Sequence, residues 1–373
     1  MSTFSELPLL PSLLESLAEQ GFTRPTEIQA QTLQPLSSGR SLVGVSETGS
    51  GKTLAYVLPM LHQLKSMENA GSAVSEPGRP RGLVVVPGRE LGEQVSKVIK
   101  SLTHRTRLRS RIVIGGSAKA VARQSVKGKF ELLVATPGRL AQLLDSGELR
   151  LDDVRMLVFD EADQVLDAGF LPVAKRIVGE CPSQAQLVLF SATVPQSLER
   201  AISTVFAKAP LQVRTQGSQK VVRTLTTDNR VVERGRRLPL VRSVIAEHPT
   251  MGTMLFANTR EQCDKVAAWL ETEGLAFVNF RGEMDRQERR KNLARFRSGD
   301  VSLLLTTDLG GRGLDIERVE RVINVHLPAD VDNYLHRVGR TARAGRPGTV
   351  VNLVTERDQP LMDKLQKRAN KRG

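Results

Sequence analysis

The chain has 373 residues, about twice the length of a typical single domain, so two domains are the starting expectation. It is 40% hydrophobic and 25% charged, and 54 Lys and Arg against 40 Asp and Glu leave a net charge of +14, which favours nucleic acid or another anionic surface. The two cysteines, Cys181 and Cys263, match no disulfide or zinc spacing, no apolar run approaches the roughly 20 residues of a membrane span, and the first residues lack a signal-peptide layout, so a reducing, cytoplasmic setting is expected. With aromatics at 4% and Trp269 the single tryptophan, rows of stacking rings are not available, and any grip on nucleic acid falls on the backbone.

In chain order, short Val-, Ile- and Leu-rich runs at 41–45, 83–86, 111–114, 131–135, 155–159, 187–190 and 211–213 alternate with helix-length segments. Runs that are apolar nearly throughout are expected of parallel strands buried on both faces. The pattern resumes at 253–257, 275–280, 301–305, 322–325 and 349–354. This predicts two consecutive α/β domains: residues 1–213, a polar linker at 214–220, a second domain at 221–357, and a short basic tail at 358–373. The stretch 69–81, with Gly71, Gly78, Pro77 and Pro80, reads as a flexible loop.

The clearest chemistry follows the first strand: Ser46-Glu47-Thr48-Gly49-Ser50-Gly51-Lys52-Thr53, then a helical 54–64. Strand, glycine-rich turn and helix make a phosphate cradle, in which backbone N–H groups turn inward and the helix N-terminus adds positive potential. Lys52 is expected to reach the outer phosphates and Thr53 to offer its hydroxyl to Mg²⁺. Ser46 stands where the strict pattern has glycine. Further on, 157–159 runs into Asp160-Glu161-Ala162-Asp163 at a strand's carboxyl end, where open α/β sheets place ligand chemistry. Asp160 suits a metal held through water and Glu161 suits polarisation of an attacking water; alone, such residues are more often a solvated strand end. Late in the second domain, His336-Arg337-Val338-Gly339-Arg340-Thr341-Ala342-Arg343 predicts a helix with Arg340 and Arg343 on one face, either as arginine fingers for a γ-phosphate or as a solvated basic face.

Together these motifs resemble the DEAD-box family of ATP-dependent RNA helicases, in family order and over nearly the whole chain. The resemblance implies two RecA-like domains, each a mostly parallel sheet covered by helices, with ATP and Mg²⁺ in the cleft between them and RNA crossing both. It implies that Gln29, in Gly21-Phe22-Thr23-Arg24-Pro25-Thr26-Glu27-Ile28-Gln29, reads the adenine edge, that Phe22 packs beside the base, and that Phe4 is the upstream aromatic. Thr48, Gly49, Ser50, Gly51, Lys52 and Thr53, with Gly313 and Asp315 of the second domain, complete the ATP set. Asp163, Ser191, Thr193 and His336 are the implied coupling residues.

RNA contacts are implied for Arg89, Gly116, Thr136, Arg139, Arg260, Arg286, Arg289, Thr307 and Gly310. Three departures stand out: Gly88 where the family has threonine, Arg286 where it has glutamine, and Gly310-Gly311 where it has two small residues, usually alanines. The implied activity is RNA-stimulated ATP hydrolysis coupled to local, non-processive remodelling of RNA duplexes and RNA–protein complexes by a monomer. An ATP-gated RNA clamp and a DNA translocase are the rival readings. Nothing in the residues names the RNA or any protein partner.

Overall fold

The computed structural model describes residues 3–47, 49–74, 76–115, 119–167, 169–215, 225–308, 316, 318–342 and 346–370, the side chains of 234, 286 and 368–370 excepted. The chain divides into two compact units, Met1–Gln219 and Lys220–Gly373.

In the first unit the strands are β1 (Leu42–Val45), β2 (Gly82–Val85), β3 (Ser110–Val113), β4 (Leu132–Ala135), β5 (Met156–Asp160), β6 (Gln186–Ser191) and β7 (Leu211–Arg214). They form one sheet in the order β3-β4-β2-β5-β6-β1-β7, every pairing parallel. The helices that cover it are α1 (Pro11–Glu19), α2 (Glu27–Ser37), α3 (Lys52–Asn69), α4 (Arg89–Thr106), α5 (Lys119–Val126), α6 (Pro137–Asp145), α7 (Ala162–Val165), α8 (Leu171–Glu180) and α9 (Gln196–Val205). Because successive side chains of a strand point to opposite faces, an unbroken apolar run supplies two cores at once. In β5, Met156 and Val158 join the core under α1 to α4, whereas Leu157 and Phe159 join the core under α6, α8 and α9.

The second unit holds β8 (Leu225–Val231), β9 (Thr253–Ala257), β10 (Phe277–Phe280), β11 (Leu303–Thr307), β12 (Arg321–Asn324) and β13 (Gly348–Val354), in the all-parallel order β10-β11-β9-β12-β13-β8. Its helices are α10 (Arg237–Glu247), α11 (Arg260–Thr272), α12 (Arg286–Ser298) and two further ones, Val331–Val338 and Gln359–Asn370. Two parallel sheets covered by helices match the expected fold class. No helix among the described residues is long and apolar enough to cross a membrane.

Three expectations are corrected. Strand β8 was not anticipated, because Leu-Thr-Thr-Asp-Asn-Arg-Val alternates at an exposed edge; it is held by a seven-residue ladder to β13 and by Asn352 donating to Asn229 at 2.7 Å. The residues expected to form a basic tail are helical to Asn370, because Leu361, Met362 and Leu365 recur at helical spacing and pack on the second unit's core. The loop at 69–81 is tied down rather than free: Arg81 donates to Asp153 at 2.8 Å and to the Ser72 carbonyl, Arg79 pairs with Asp152 at 2.9 Å, and Val74 is buried. Composition signals a loop but not what its arginines meet.

One close approach sets the spacing of the first unit's centre. A Cβ at Gly44 of β1 would overlap the fully buried ring of Phe190, which packs against Tyr56 with ring centroids 5.6 Å apart. Gly44→Ala is expected to destabilise this unit by about 1–3 kcal/mol, the scale of an overpacked core. Adding Phe190→Leu should recover part of the loss, and denaturant melts of the single and double variants measure the coupling.

Candidate nucleotide and nucleic-acid site

All strands of the first unit end at one edge, and the loops there carry the predicted residues. The turn from β1 to α3 uses left-handed backbone at Gly49 (φ 82°) and Gly51 (φ 90°), conformations that glycine adopts without strain. A Cβ at Gly51 would also collide with the Gln29 amide. Lys52 begins α3, and its ammonium donates to the carbonyls of Ser46 (2.8 Å) and Glu47 (2.7 Å). Ser46 is buried: its N–H donates to the Ser191 carbonyl at 3.1 Å and its hydroxyl bonds Thr215 at 3.0 Å, tying the turn to the ends of β6 and β7. Thr48 lies outside the described residues, and Ser50 and Thr53 are half-buried on the turn and at the second position of α3.

Gln29 sits on α2, 3% exposed. Its Oε1 accepts from the Thr26 N–H at 2.9 Å and its Nε2 donates to the Gly51 carbonyl at 3.0 Å. A primary amide has two donor hydrogens and two acceptor lone pairs, so one of each is left over. Phe22, just upstream, is 41% exposed, unusual for a ring of its size. Phe4 is buried in the core, and its N–H donates to the Thr23 carbonyl at 3.2 Å, pinning the segment that presents Phe22.

Asp160 ends β5 and is 2% exposed. Its Oδ2 accepts from the Tyr56 hydroxyl at 2.8 Å and its Oδ1 from the Glu161 N–H at 2.9 Å. Burial pushes its carboxyl up to about 6, against the opposing pull of the Lys52 charge. Glu161 adopts left-handed backbone (φ 50°), an uncommon conformation for a non-glycine residue and one found where function holds a residue against its preference. Its Oε2 accepts from Gln164 at 2.7 Å. Thr193 donates to Asp163 at 3.1 Å, whereas the buried Ser191 hydroxyl has no partner among the described residues; only one of the two coupling hydroxyls meets Asp163.

The sheet order separates two groups along this edge. The glycine turn, Asp160 with Glu161, and Ser191 with Thr193 follow β1, β5 and β6, which are neighbours. Arg89, Thr136 and Arg139 follow β2 and β4 in the other half, where the β3 loop also ends. Thr136 caps α6 and its hydroxyl accepts from the Gly115 N–H at 3.2 Å; Arg139 donates to Gln142 at 2.8 Å. Gly88 caps α4 with no side-chain bond, so its missing hydroxyl is a missing cap. Gly116 is outside the described residues.

In the second unit Arg337 is 1% exposed. It donates to both carboxylate oxygens of Asp308 (2.6 and 2.7 Å), to Asn258 (2.7 Å), to Asn324 (3.1 Å) and to the His326 carbonyl (2.6 Å), with its guanidinium 5.1 Å from the Phe256 ring centroid. One cation thus aligns the ends of β9, β11 and β12. The helix Val331–Val338 stops at Gly339, so Arg340 lies beyond it, not on its face. Arg340 is 3% exposed, donates to the His336 carbonyl at 3.0 Å and lines a pocket of about 410 Å³ with Arg318 and Arg346; it is no solvated charge. Arg343 lies outside the described residues, as do Gly310, Gly313 and Asp315.

Arg260 is exposed and Thr307 half-buried at the ends of β9 and β11. Arg289, expected to contact RNA, is buried with its guanidinium 4.2 Å from the Phe280 ring centroid. Arg286 begins α12, and its side chain is outside the described set. Tyr56 and Arg337 are the two residues that sequence reasoning missed. Neither has a local signal, because each acts on a partner brought near by the fold.

Residues 26–201 match the DEAD/DEAH box helicase family and residues 231–345 the helicase conserved C-terminal domain. The chain belongs to the DEAD/DEAH box helicase family. It is 35% identical over 366 residues to the ATP-dependent RNA helicase SrmB of Escherichia coli (strain K12), covering 98% of this chain and 81% of that one. It is 31% identical over 365 residues to the DEAD-box ATP-dependent RNA helicase RhpA of Helicobacter pylori, covering 98% and 72%. Among solved structures it is similar to S. cerevisiae Dbp5 bound to RNA and ADP BeF3, with a TM-score of 0.85 at 26% identity over 99% of this chain and 93% of that one.

The raised Asp160 carboxyl has a measurable consequence. Its folded value of about 6 lies above the ordinary carboxylate value, so ionisation progressively destabilises the fold as pH rises through that interval, and the full penalty is present at pH 8. Asp160→Asn removes the charge and keeps the Tyr56 hydroxyl a partner. Asparagine offers one acceptor oxygen where Asp160 uses two, so the readout is the change with pH: from pH 4 to pH 8 the variant should gain about 1–3 kcal/mol of stability relative to the wild type, read from thermal melts at both pH values.

Proposed function

We propose that this chain is an RNA-stimulated ATPase that separates short RNA duplexes and remodels RNA–protein complexes locally. Membership of the DEAD/DEAH box family makes it an ATP-dependent RNA helicase. The observation that carries the finer reading is the convergence of Gln29, Lys52, Asp160 and Glu161 on the β1–β6–β5 half of one sheet edge, with Arg89, Thr136 and Arg139 on the other half.

Gln29 keeps one donor and one acceptor after bonding Thr26 and Gly51, the pair that adenine N7 and N6 require. Phe22 covers the base. Phosphate oxygens replace the Ser46 and Glu47 carbonyls as acceptors for Lys52, and the N–H groups of the glycine turn add to them. The residues present fit a hydrated Mg²⁺: each Asp160 oxygen accepts one hydrogen bond and retains a lone pair for a water of the ion's shell. Thr53 and Asp160 would hold it, and it would neutralise charge on the phosphate oxygens. Glu161 accepts the proton of the water that attacks the γ-phosphorus, yielding ADP and phosphate. Arg340, with Arg343, is the cation that meets the γ-phosphate charge. Thr193 and Asp163, with Ser191 and His336, relay the change to the RNA-binding loops. Glycine, threonine and arginine groups of those loops take phosphate oxygens. An RNA clamp with little unwinding uses the same contacts; a strand-separation assay distinguishes it.

ATP turnover should exceed GTP turnover strongly, because guanine presents the opposite hydrogen-bonding pattern at its six-position; equal turnover with saturating RNA would remove Gln29 from the base. Glu161→Gln retains the shape of the side chain but not the base, so hydrolysis should fall by about 10²–10⁴-fold. RNA should then dissociate slowly in ATP and quickly in ADP, as measured by its release rate in each nucleotide beside the wild type. Equal fast release with intact ATP affinity would break the proposed coupling.

A further inference from the structure

The first unit also has a cavity at the amino edge of its sheet, at the other end of the strands from the glycine turn and the carboxylates. Its volume is about 540 Å³, a size that takes one small organic molecule. It lies between the loop from α8 to β6 and the loop from α9 to β7, over the starts of β1, β6 and β7. Val178, Leu187, Phe206 and Leu211 give it an apolar lining, and the small side chains of Ala185, Ala207 and Ala209 leave space that larger ones would fill. Gln186, also in the lining, is 4% exposed, and its Nε2 donates to the Leu36 and Arg40 carbonyls at 3.0 and 2.7 Å, which ties this wall to the end of α2.

Charge at the cavity has one sign. Arg40 and Lys208 line it, both exposed and neither with an ion pair or side-chain hydrogen bond, and no Asp or Glu is among the lining residues. Glu180, next to the lining residue Cys181, is held by Arg176 at 2.8 Å. The carboxyl ends of α2, α8 and α9 lie at this edge, and free carbonyls there would favour a cation instead. Backbone N–H groups already occupy those carbonyls: Ser38 donates to Gln34, Arg40 to Pro35, Cys181 to Val178 and Phe206 to Ile202. What stays unanswered is positive charge beside an apolar wall.

We propose that this cavity binds a small amphipathic acid, an apolar body carrying one carboxylate, with the body against Val178, Leu187, Phe206 and Leu211 and the carboxylate meeting Arg40 and Lys208. The cavity shares no residue with the nucleotide edge, so the proposal stands or falls separately from the helicase reading.

Cys181 reports on the cavity it lines. It is half-buried, and burial pushes its thiol up to about 12, so a maleimide reacts with it slowly; the other cysteine, Cys263, is fully buried in the second unit. The probe is octanoate, with octanol and octylammonium as neutral and cationic molecules of the same chain length. In the full chain, about 1 mM octanoate should slow N-ethylmaleimide modification of Cys181 by about fivefold or more, followed by mass spectrometry. Octanol and octylammonium lack the two ion pairs, together about tenfold in affinity, and should slow it by less than about twofold. Arg40→Gln combined with Lys208→Gln changes two exposed loop residues. That variant should keep the modification rate seen without octanoate and lose most of the protection by octanoate. Equal protection by octanoate and octanol in the wild type overturns the proposal, as does protection that survives the double substitution, because either leaves only an apolar crevice. Failure of octanoate to protect the wild type overturns it as well.

Discussion

Every strand of each sheet runs the same way, and most of the chemistry hangs on that constraint. A parallel pair cannot be joined by a tight turn, so each strand is followed by a crossover, and all carboxyl ends collect at one edge. The glycine turn follows β1, Asp160 and Glu161 follow β5, Ser191 and Thr193 follow β6, and Thr136 with Arg139 follows β4. Residues far apart in the chain become neighbours without any long loop. The order β3-β4-β2-β5-β6-β1-β7 then sorts them, with the glycine turn and the carboxylates in one half of the edge and Arg89, Thr136 and Arg139 in the other.

Holding those ends in place requires buried polar groups, and the two units do so differently. In the first, Asp160 is kept at the edge of a dry core by a tyrosine hydroxyl and a backbone N–H. Two hydrogen bonds satisfy the carboxylate in part, but burial still works against its charge, a condition common where a fold gives up stability for a reactive group. In the second, Arg337 carries the burden: a guanidinium with five donors in a rigid fork meets Asp308, Asn258, Asn324 and a carbonyl at once, which an ammonium has too few donors to do. It fixes the strand ends from inside, leaving the side chains around it free to face a ligand.

Most of the fold was legible in the sequence, and so were the local patterns of the candidate nucleotide site. Parallel strands buried on both faces appear as plain apolar runs, and the glycine turn and the acidic strand end are local patterns whose chemistry follows from their spacing. Strand β8 was invisible because an edge strand with polar alternation buries too little to leave a mark, and its identity rests on the ladder to β13. The final helix was read as a tail because its charge hid three apolar residues that matter only once a core lies beneath them.

What the sequence determined by itself is the inventory: two α/β units, a glycine-rich turn between strand and helix, a pair of carboxylates at a strand end, and an excess of positive charge. Tertiary structure alone decided which of those groups are shared, buried or exposed. It joined Tyr56 to Asp160 across 104 positions and Arg337 to Asn258 across 79, and it removed Arg340 from a helix face and buried it. The physical reason is that a hydrogen bond or an ion pair depends on where two groups are placed and on how much water remains around them. Both are properties of the packed chain, whereas local spacing reports only which groups are available.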